Sequence, residues 1–331
     1  MTGACILGCA GPRLSAPEAA FFAEADPWGF ILFARNVETP DQLARLTADL
    51  RTCVGRDAPI LVDQEGGRVQ RLRGPHWRDW PAPLDHVRAA DDPARALWIR
   101  ARIQAAELRA VGIDVNCAPT ADIARPETHP FLRDRCHGAD PAEVARHARA
   151  TAEGLLAGGV LPVVKHLPGH GRARVDSHLN LPVVEASRDA LGEDFAPFRA
   201  LSDLPLGMTA HIRFTAFGDG PATQDPALIR LIREEIGFDG LLMTDDISMQ
   251  ALGGDIAERS RLAIRAGCDL VLHCNGDRAE MEGCVAASGT IGEAARSRAG
   301  RALARRREPD PADPDALAEE LAALSPDHLH V

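Results

Sequence analysis

Between positions 161 and 182 the chain reads LPVVKHLPGHGRARVDSHLNLP, which sets Lys165, His166, His170, Asp176 and His178 within one short stretch. Asp176 and His178 stand two apart. On an extended loop such residues project to the same side. An aspartate there can hold one imidazole nitrogen, fix the tautomer and leave the other nitrogen for proton transfer. His166, His170 and His178 resemble a metal-ligand set, but Pro168 and Gly169 deny the helical turn that would bring His166 and His170 onto one face. No metal and no cofactor are therefore expected. Lys165 is the one lysine among 37 lysine and arginine residues. Its ammonium is a compact point charge that a guanidinium does not replace at a tight site. A lysine at a strand end also suits Schiff-base chemistry, provided that burial or a nearby cation lowers its pKa. Asp245 ends the apolar run Leu241-Leu242-Met243-Thr244, where a rigid strand end would present its carboxylate as a nucleophile or charge stabiliser. Asp246 should point elsewhere, to a helix cap or a loop. The segment DQEGGRVQR, 63–71, is a strand end running into a glycine turn, and its carboxylates and Arg71 suit either a polyhydroxylated ligand or an ordinary ion pair.

Eight short apolar runs can carry these residues: 4–9, 29–33, 60–62, 113–116, 161–164, 206–209, 241–243 and 270–273. Helix-length stretches separate most of them. The segments 96–111, 142–157 and 226–236 are amphipathic, the last with Asp225 as an N-cap. Strand–helix alternation argues for a parallel sheet with helical crossovers. Eight repeats predict a single α/β domain, a closed (β/α)8 barrel over 1–307. An open doubly wound sheet is the rival, but no G-x-G-x-x-G follows the first runs. Residues 308–331 are expected to form a C-terminal tail with one short helix. Asp63, Gln64 and Glu65 follow the third run, Lys165 and His166 the fifth, His211 the sixth, Asp245 and Asp246 the seventh, and Asn275 the eighth. All fall at C-terminal strand ends, the face on which barrel active sites are built. This one-sidedness argues for an enzyme.

Composition removes several alternatives. A net charge of −11 argues against nucleic acid, whose phosphates need a basic surface. The Arg-rich stretch near 296–307 reads as the solvated face of a helix. With no Tyr and 4% aromatic residues, the core must be aliphatic. The eight cysteines form no C-x-x-C, and those in apolar runs read as small core residues. No apolar run approaches ~18 residues and no signal peptide opens the chain, so a cytoplasmic protein away from membranes is expected.

KHLPGHG followed by DSH, with DQEGGRVQR before and TDDISM after, resembles the NagZ-type bacterial β-N-acetylglucosaminidases of glycoside hydrolase family 3. The resemblance spans roughly residues 1–305 and three motifs in order. It implies a single barrel without the sandwich domain of longer members, acting as a monomer on small carbohydrates or muropeptides. The implied activity is retaining removal of N-acetylglucosamine from peptidoglycan-derived GlcNAc-anhydroMurNAc during cell-wall recycling. It further implies that Asp245 attacks the anomeric carbon, and that His178, oriented by Asp176, serves as acid and base. Asp63, Arg71, Lys165, His166 and Arg135, the last in Leu132-Arg133-Asp134-Arg135, would bind hydroxyls and the acetamide region. This replaces one of the two carboxylates of the usual retaining plan by a histidine–aspartate pair. A loop carrying the acid could gate the site, and a neutral base repels anions less, so phosphate could compete with water. Arg172 to Arg174 and Cys136-His137 depart from the family pattern. Trp77 and Trp80 suit packing better than sugar stacking. The alternative outside this family is a lysine Schiff-base aldolase or lyase on the same barrel.

Overall fold

All eight apolar runs are strands. In the computed structural model, which describes residues 1–325, they are β1 (Gly3–Gly8), β2 (Pro27–Leu32), β3 (Ile60–Val62), β4 (Val115–Asn116), β5 (Leu161–Leu167), β6 (Leu206–Thr209), β7 (Leu241–Asp246) and β8 (Leu270–His273). Each lies parallel beside the next and β8 returns to β1, closing the barrel. Phe30 pairs with Ile60, Leu241 with Leu206, and Cys5 with Val271. The (β/α)8 expectation holds and the open-sheet rival falls. Two strands run further than expected. β5 continues through Lys165 and His166, and β7 through Asp245 and Asp246, so these side chains stand on the barrel wall itself.

The runs lack polar alternation because both faces of each strand are covered. Ile6, Ile31, Leu61, Val115, Val163, Met208, Met243 and Leu272 share the inner cluster. Their neighbours Cys5, Leu7, Phe30, Leu32, Ile60 and Val62 join the layer under the helices. At the N-terminal end, Trp28 meets Ala295, Ala299 and Ala302 of the helix Glu293–Leu303, which stoppers the barrel. That helix carries the arginine-rich stretch. Its outer arginines are ion-paired rather than simply solvated, Arg298 with Asp269 at 3.0 Å and Arg301 with Asp239 at 2.7 Å.

The expected crossover helices form as Pro93–Ala110 and Pro141–Ala157, each with an aspartate N-cap and proline in its first turn. The third starts at the Asp225 cap as expected. After Pro226–Arg230 it widens into a π turn, Leu231–Glu235, which keeps Leu231, Ile232 and Ile236 all in the core. The tail helix is Pro314–Leu324. Its Leu321 is buried with Trp80, Ala96, Ile99 and Ile103, and Arg95 grips Glu320 at 2.7 and 2.8 Å. The last part of the expected tail, 326–331, lies outside the described residues. Among the described residues no helix is long and apolar enough to cross a membrane.

Candidate active site

β3 leads straight into a small hairpin, Gln64–Gly66 against Val69–Gln70. Gly66 holds φ +111, and a Cβ there would stand 2.5 Å from the Pro81 carbonyl oxygen, so glycine is required. The hairpin brings Asp63, Glu65 and Arg71 to the C-terminal mouth of the barrel. Lys165 Nζ lies 2.9 Å from Asp63 Oδ1 and 2.6 Å from Glu65 Oε1. Arg71 donates to Asp63 Oδ2 at 2.9 Å. Arg135 grips Glu65 through two bonds, at 2.9 and 2.7 Å. Burial would raise the Glu65 carboxyl, but Arg135 and Lys165 outweigh it and hold the group at about 2. Burial likewise opposes ionisation of Asp63, and Lys165 and Arg71 hold it well below the usual carboxylate range.

For Lys165, burial favours the neutral amine, but Asp63 and Glu65 reverse this and push it above its ordinary value. The residue is thus an ammonium clamped between two carboxylates. A Schiff base needs the free amine and a lowered pKa. The aldolase alternative therefore fails on this geometry. The adjacent His166 turns its Nδ1 to Asp122 Oδ2 at 2.8 Å.

Asp245, at the end of β7, lies on the cleft floor. Its Oδ1 accepts the Asp246 N–H at 2.8 Å, and among the described residues no hydrogen bond reaches Oδ2. Burial works to raise its carboxyl, yet the imidazoles of His166 and His211 and the Asp246 N–H hold it below its ordinary range. It is therefore an ionised carboxylate with one uncommitted oxygen. Asp246 turns to the loop as expected, accepting from Ser248 Oγ at 2.7 Å and from the Cys274 N–H at 3.2 Å. His211 backs this floor, with Nδ1 on Thr223 at 2.8 Å and Nε2 on the Asp246 carbonyl at 2.9 Å.

The glycine loop after β5 carries the other pair. His178 Nδ1 lies 2.7 Å from Asp176 Oδ1, and the same oxygen accepts the His178 N–H at 2.9 Å. Burial pushes the Asp176 carboxyl up, and these His178 contacts together outweigh it and bring it below the usual range. The ring is exposed, so Nε2 is free to face a ligand while Nδ1–H is held. Phe131 meets the His178 ring edge to face at 6.0 Å, and His178 O accepts the Gln250 N–H from the loop beyond β7 at 3.2 Å.

These groups meet in one cleft of about 230 Å³, which Asp63, Arg71, Arg135, Lys165, His166, His178 and Asp245 all line. The sequence-predicted residues are thus brought together, apart from Asp176, which stands behind His178. Glu65, grouped by sequence with Arg71 as ligand-binding, is buried behind the wall as an anchor for Lys165 and Arg135. Phe33 also lines the cleft, with Arg35 and Arg71 stacked at 5.0 and 5.2 Å from its ring centre. Trp80 is core instead. Sequence reasoning missed Asp122, buried beneath the site. Its only signal was position, a carboxylate shortly after the fourth apolar run. The departures Cys136 and His137 point inward, Cys136 Sγ to Leu132 O and His137 Nδ1 to Thr120 O. Arg172 is spent on Asp194 at 2.7 Å. Among the described residues no cluster of His, Cys, Asp or Glu has the geometry to hold a metal ion.

An uncommitted carboxylate and a carboxylate-oriented imidazole across a polar cleft suit displacement at a carbon bearing an oxygen leaving group. The glycosyl hydrolase family 3 N-terminal domain matches residues 14–304. Among curated relatives, the beta-hexosaminidase of Methylococcus capsulatus is 39% identical over 271 residues, 80% of each chain. That of Alkalilimnicola ehrlichii is 39% identical over 285 residues, 83% of this chain and 81% of its own. Among solved structures, NagZ from Neisseria gonorrhoeae in complex with N-trifluoroacetyl-D-glucosamine superposes with a TM-score of 0.86 at 30% identity, covering 98% of both chains.

Proposed function

Because the chain belongs to glycosyl hydrolase family 3, and so is a glycoside hydrolase on a (β/α)8 barrel, we propose that it is a retaining exo-β-N-acetylglucosaminidase. Its substrates would be peptidoglycan-derived GlcNAc-anhydroMurNAc fragments, cleaved in the cytoplasm by a monomer. Asp245 Oδ2 attacks the anomeric carbon as the bond to the leaving oxygen breaks. Protonated His178 gives that oxygen its proton. In the second step the neutral imidazole takes a proton from water, whose oxygen attacks the same carbon and releases Asp245. The sum is one water added across one glycosidic bond. Asp176 keeps the ring oriented through both steps. Asp63, Arg71, Arg135, Lys165 and His166 hold the sugar's hydroxyls and acetamide. Lys165 and Arg135 are themselves fixed by Glu65, so they are oriented before substrate arrives.

One observation carries this: an ionised carboxylate with a free oxygen on the floor of the cleft whose rim bears an imidazole held at 2.7 Å by a second carboxylate. The relatives' printed names, beta-hexosaminidase, and the glucosamine derivative bound by the Neisseria structure favour N-acetylhexosaminides. The test is release of 4-nitrophenol from 4-nitrophenyl β-N-acetylglucosaminide. Wild type should turn it over and Asp245→Ala should lose at least ~10³-fold in kcat, as expected when a covalent nucleophile is removed. Activity largely retained by Asp245→Ala would refute the nucleophile. An inert wild type would refute the substrate class.

A further inference from the structure

His170 takes no part in these steps, yet it is only 1% exposed and sits between two groups that do. Its backbone N–H donates to Asp122 Oδ1 at 2.5 Å, while Asp122 Oδ2 holds His166 Nδ1 at 2.8 Å. Its own Nε2 lies 3.2 Å from Oγ of Ser177, the residue between Asp176 and His178. Ser177 is buried, whereas His178 is exposed and Asp176 half-buried. Asp176 to Leu179 is a tight turn, in which the Leu179 N–H donates to the Asp176 carbonyl at 3.0 Å, with Ser177 buried and His178 exposed at its centre. Holding Ser177 inward therefore fixes the turn that carries the His178 ring. Phe131 packs against both rings, at 5.7 Å from His170 and 6.0 Å from His178.

Burial, with His166 beside it, pushes His170 down to about 3, so its ring is neutral near pH 7. A neutral ring has one N–H. Nδ1 has no partner, and a bare buried acceptor costs less than an unmatched buried N–H. The proton therefore belongs on Nε2, where it is donated to Ser177.

We propose that His170, anchored by Asp122, is a positioning residue for His178: by fixing Ser177 it sets where the acid/base ring presents its free nitrogen. This rests on the acid/base assignment of His178 made above. One buried carboxylate, Asp122, then ties a sugar-binding group, His166, to the placement of the proton donor.

Two variants break the contact from opposite sides. Ser177→Ala removes the hydroxyl with little change in volume, and His170→Phe keeps a ring without Nε2. Each is assayed by kcat/KM on phenyl and 2,4-dinitrophenyl β-N-acetylglucosaminides. The phenyl leaving group needs a proton and the dinitrophenyl group does not. Each variant should lose ~10-fold or more on the phenyl substrate and less than about twofold on the dinitrophenyl one, the mark of impaired general-acid catalysis. Their double variant should be no worse than the poorer single one. Ser177→Ala should add nothing in a His178→Ala background. Equal losses on both substrates, no loss on phenyl, or a further loss when His178 is already gone would overturn the proposal and leave Ser177 as ordinary loop packing. If His178→Ala itself shows no leaving-group dependence, the acid/base assignment falls, and the positioning role falls with it. Circular-dichroism melts identify a variant that fails to fold, and the other variant then carries the test.

Discussion

Single residues here owe their behaviour to what stands within 3 Å of them. Lys165 is a fixed positive charge because Asp63 and Glu65 lie at 2.9 and 2.6 Å. Borohydride added during turnover should leave no adduct on Lys165, and a reduced adduct there, found by peptide mass mapping, would contradict this. Asp176 has the reverse duty: it holds one nitrogen of His178 so that the other can work. Asp176→Ala should cost ~10- to 100-fold in kcat/KM on a phenyl glycoside, since a general acid contributes that order or more and would be misoriented rather than removed. An unchanged rate would mean that the ring orients itself. Most of the candidate site was legible in the sequence, because Asp245, Lys165, His166 and Asp63 stand at strand ends and Asp176 and His178 two apart. The anchoring residues were not. Glu65 is an anchor because Arg135, 70 positions away, and Lys165 both pair with it. Asp122 matters only because β5 brings His166 against it. Neither relation has a local pattern.

At the scale of elements, rigid pieces and one loop divide the work. β3 with its hairpin, β5 and β7 supply the groups of the cleft wall and floor, and the glycine loop after β5 supplies His178, the proposed proton donor. The strands were visible as apolar runs, but their ends were set three residues early in β5 and β7. Polar residues that mark a strand's end in sequence are here part of the wall, lining the mouth of a closed barrel. The tail was legible only as a helix, since its docking depends on Trp80, Ala96, Ile99 and Ile103 from elsewhere in the chain. Leu321 is the side chain of Pro314–Leu324 most buried in that contact. Leu321→Ala should lower unfolding stability by about 2–3 kcal/mol, the lower part of the range for such core truncations. The barrel mouth is untouched, so kcat/KM should stay the same. Urea denaturation with no change in midpoint would show that the helix contributes no docking energy.

For the molecule as a whole, the charge cluster at the barrel mouth ties stability to pH. Glu65 is held at about 2 in the folded protein against an ordinary 4.5. A depressed carboxylate stabilises the fold above its unfolded value and loses that contribution as pH falls through the folded one. Stability should therefore drop between about pH 4.5 and 2. Lys165, raised above its ordinary 10.5, keeps its contribution up to that value and loses it only in stronger base. Urea midpoints measured from pH 7 down to 3 should fall in wild type and fall less steeply in Glu65→Gln, which has no such carboxyl to titrate. Parallel curves would place the acid sensitivity elsewhere. The central claim of the proposed function is that the protein cleaves a glycoside through a covalent ester on Asp245. The most direct test is to trap that ester with a slowly released 5-fluoro N-acetylglucosaminyl donor and locate it by peptide mass spectrometry. One 5-fluoro N-acetylglucosaminyl adduct is expected, on the peptide containing Asp245. An adduct on another residue, or turnover of the donor with no adduct and inverted product, would contradict it.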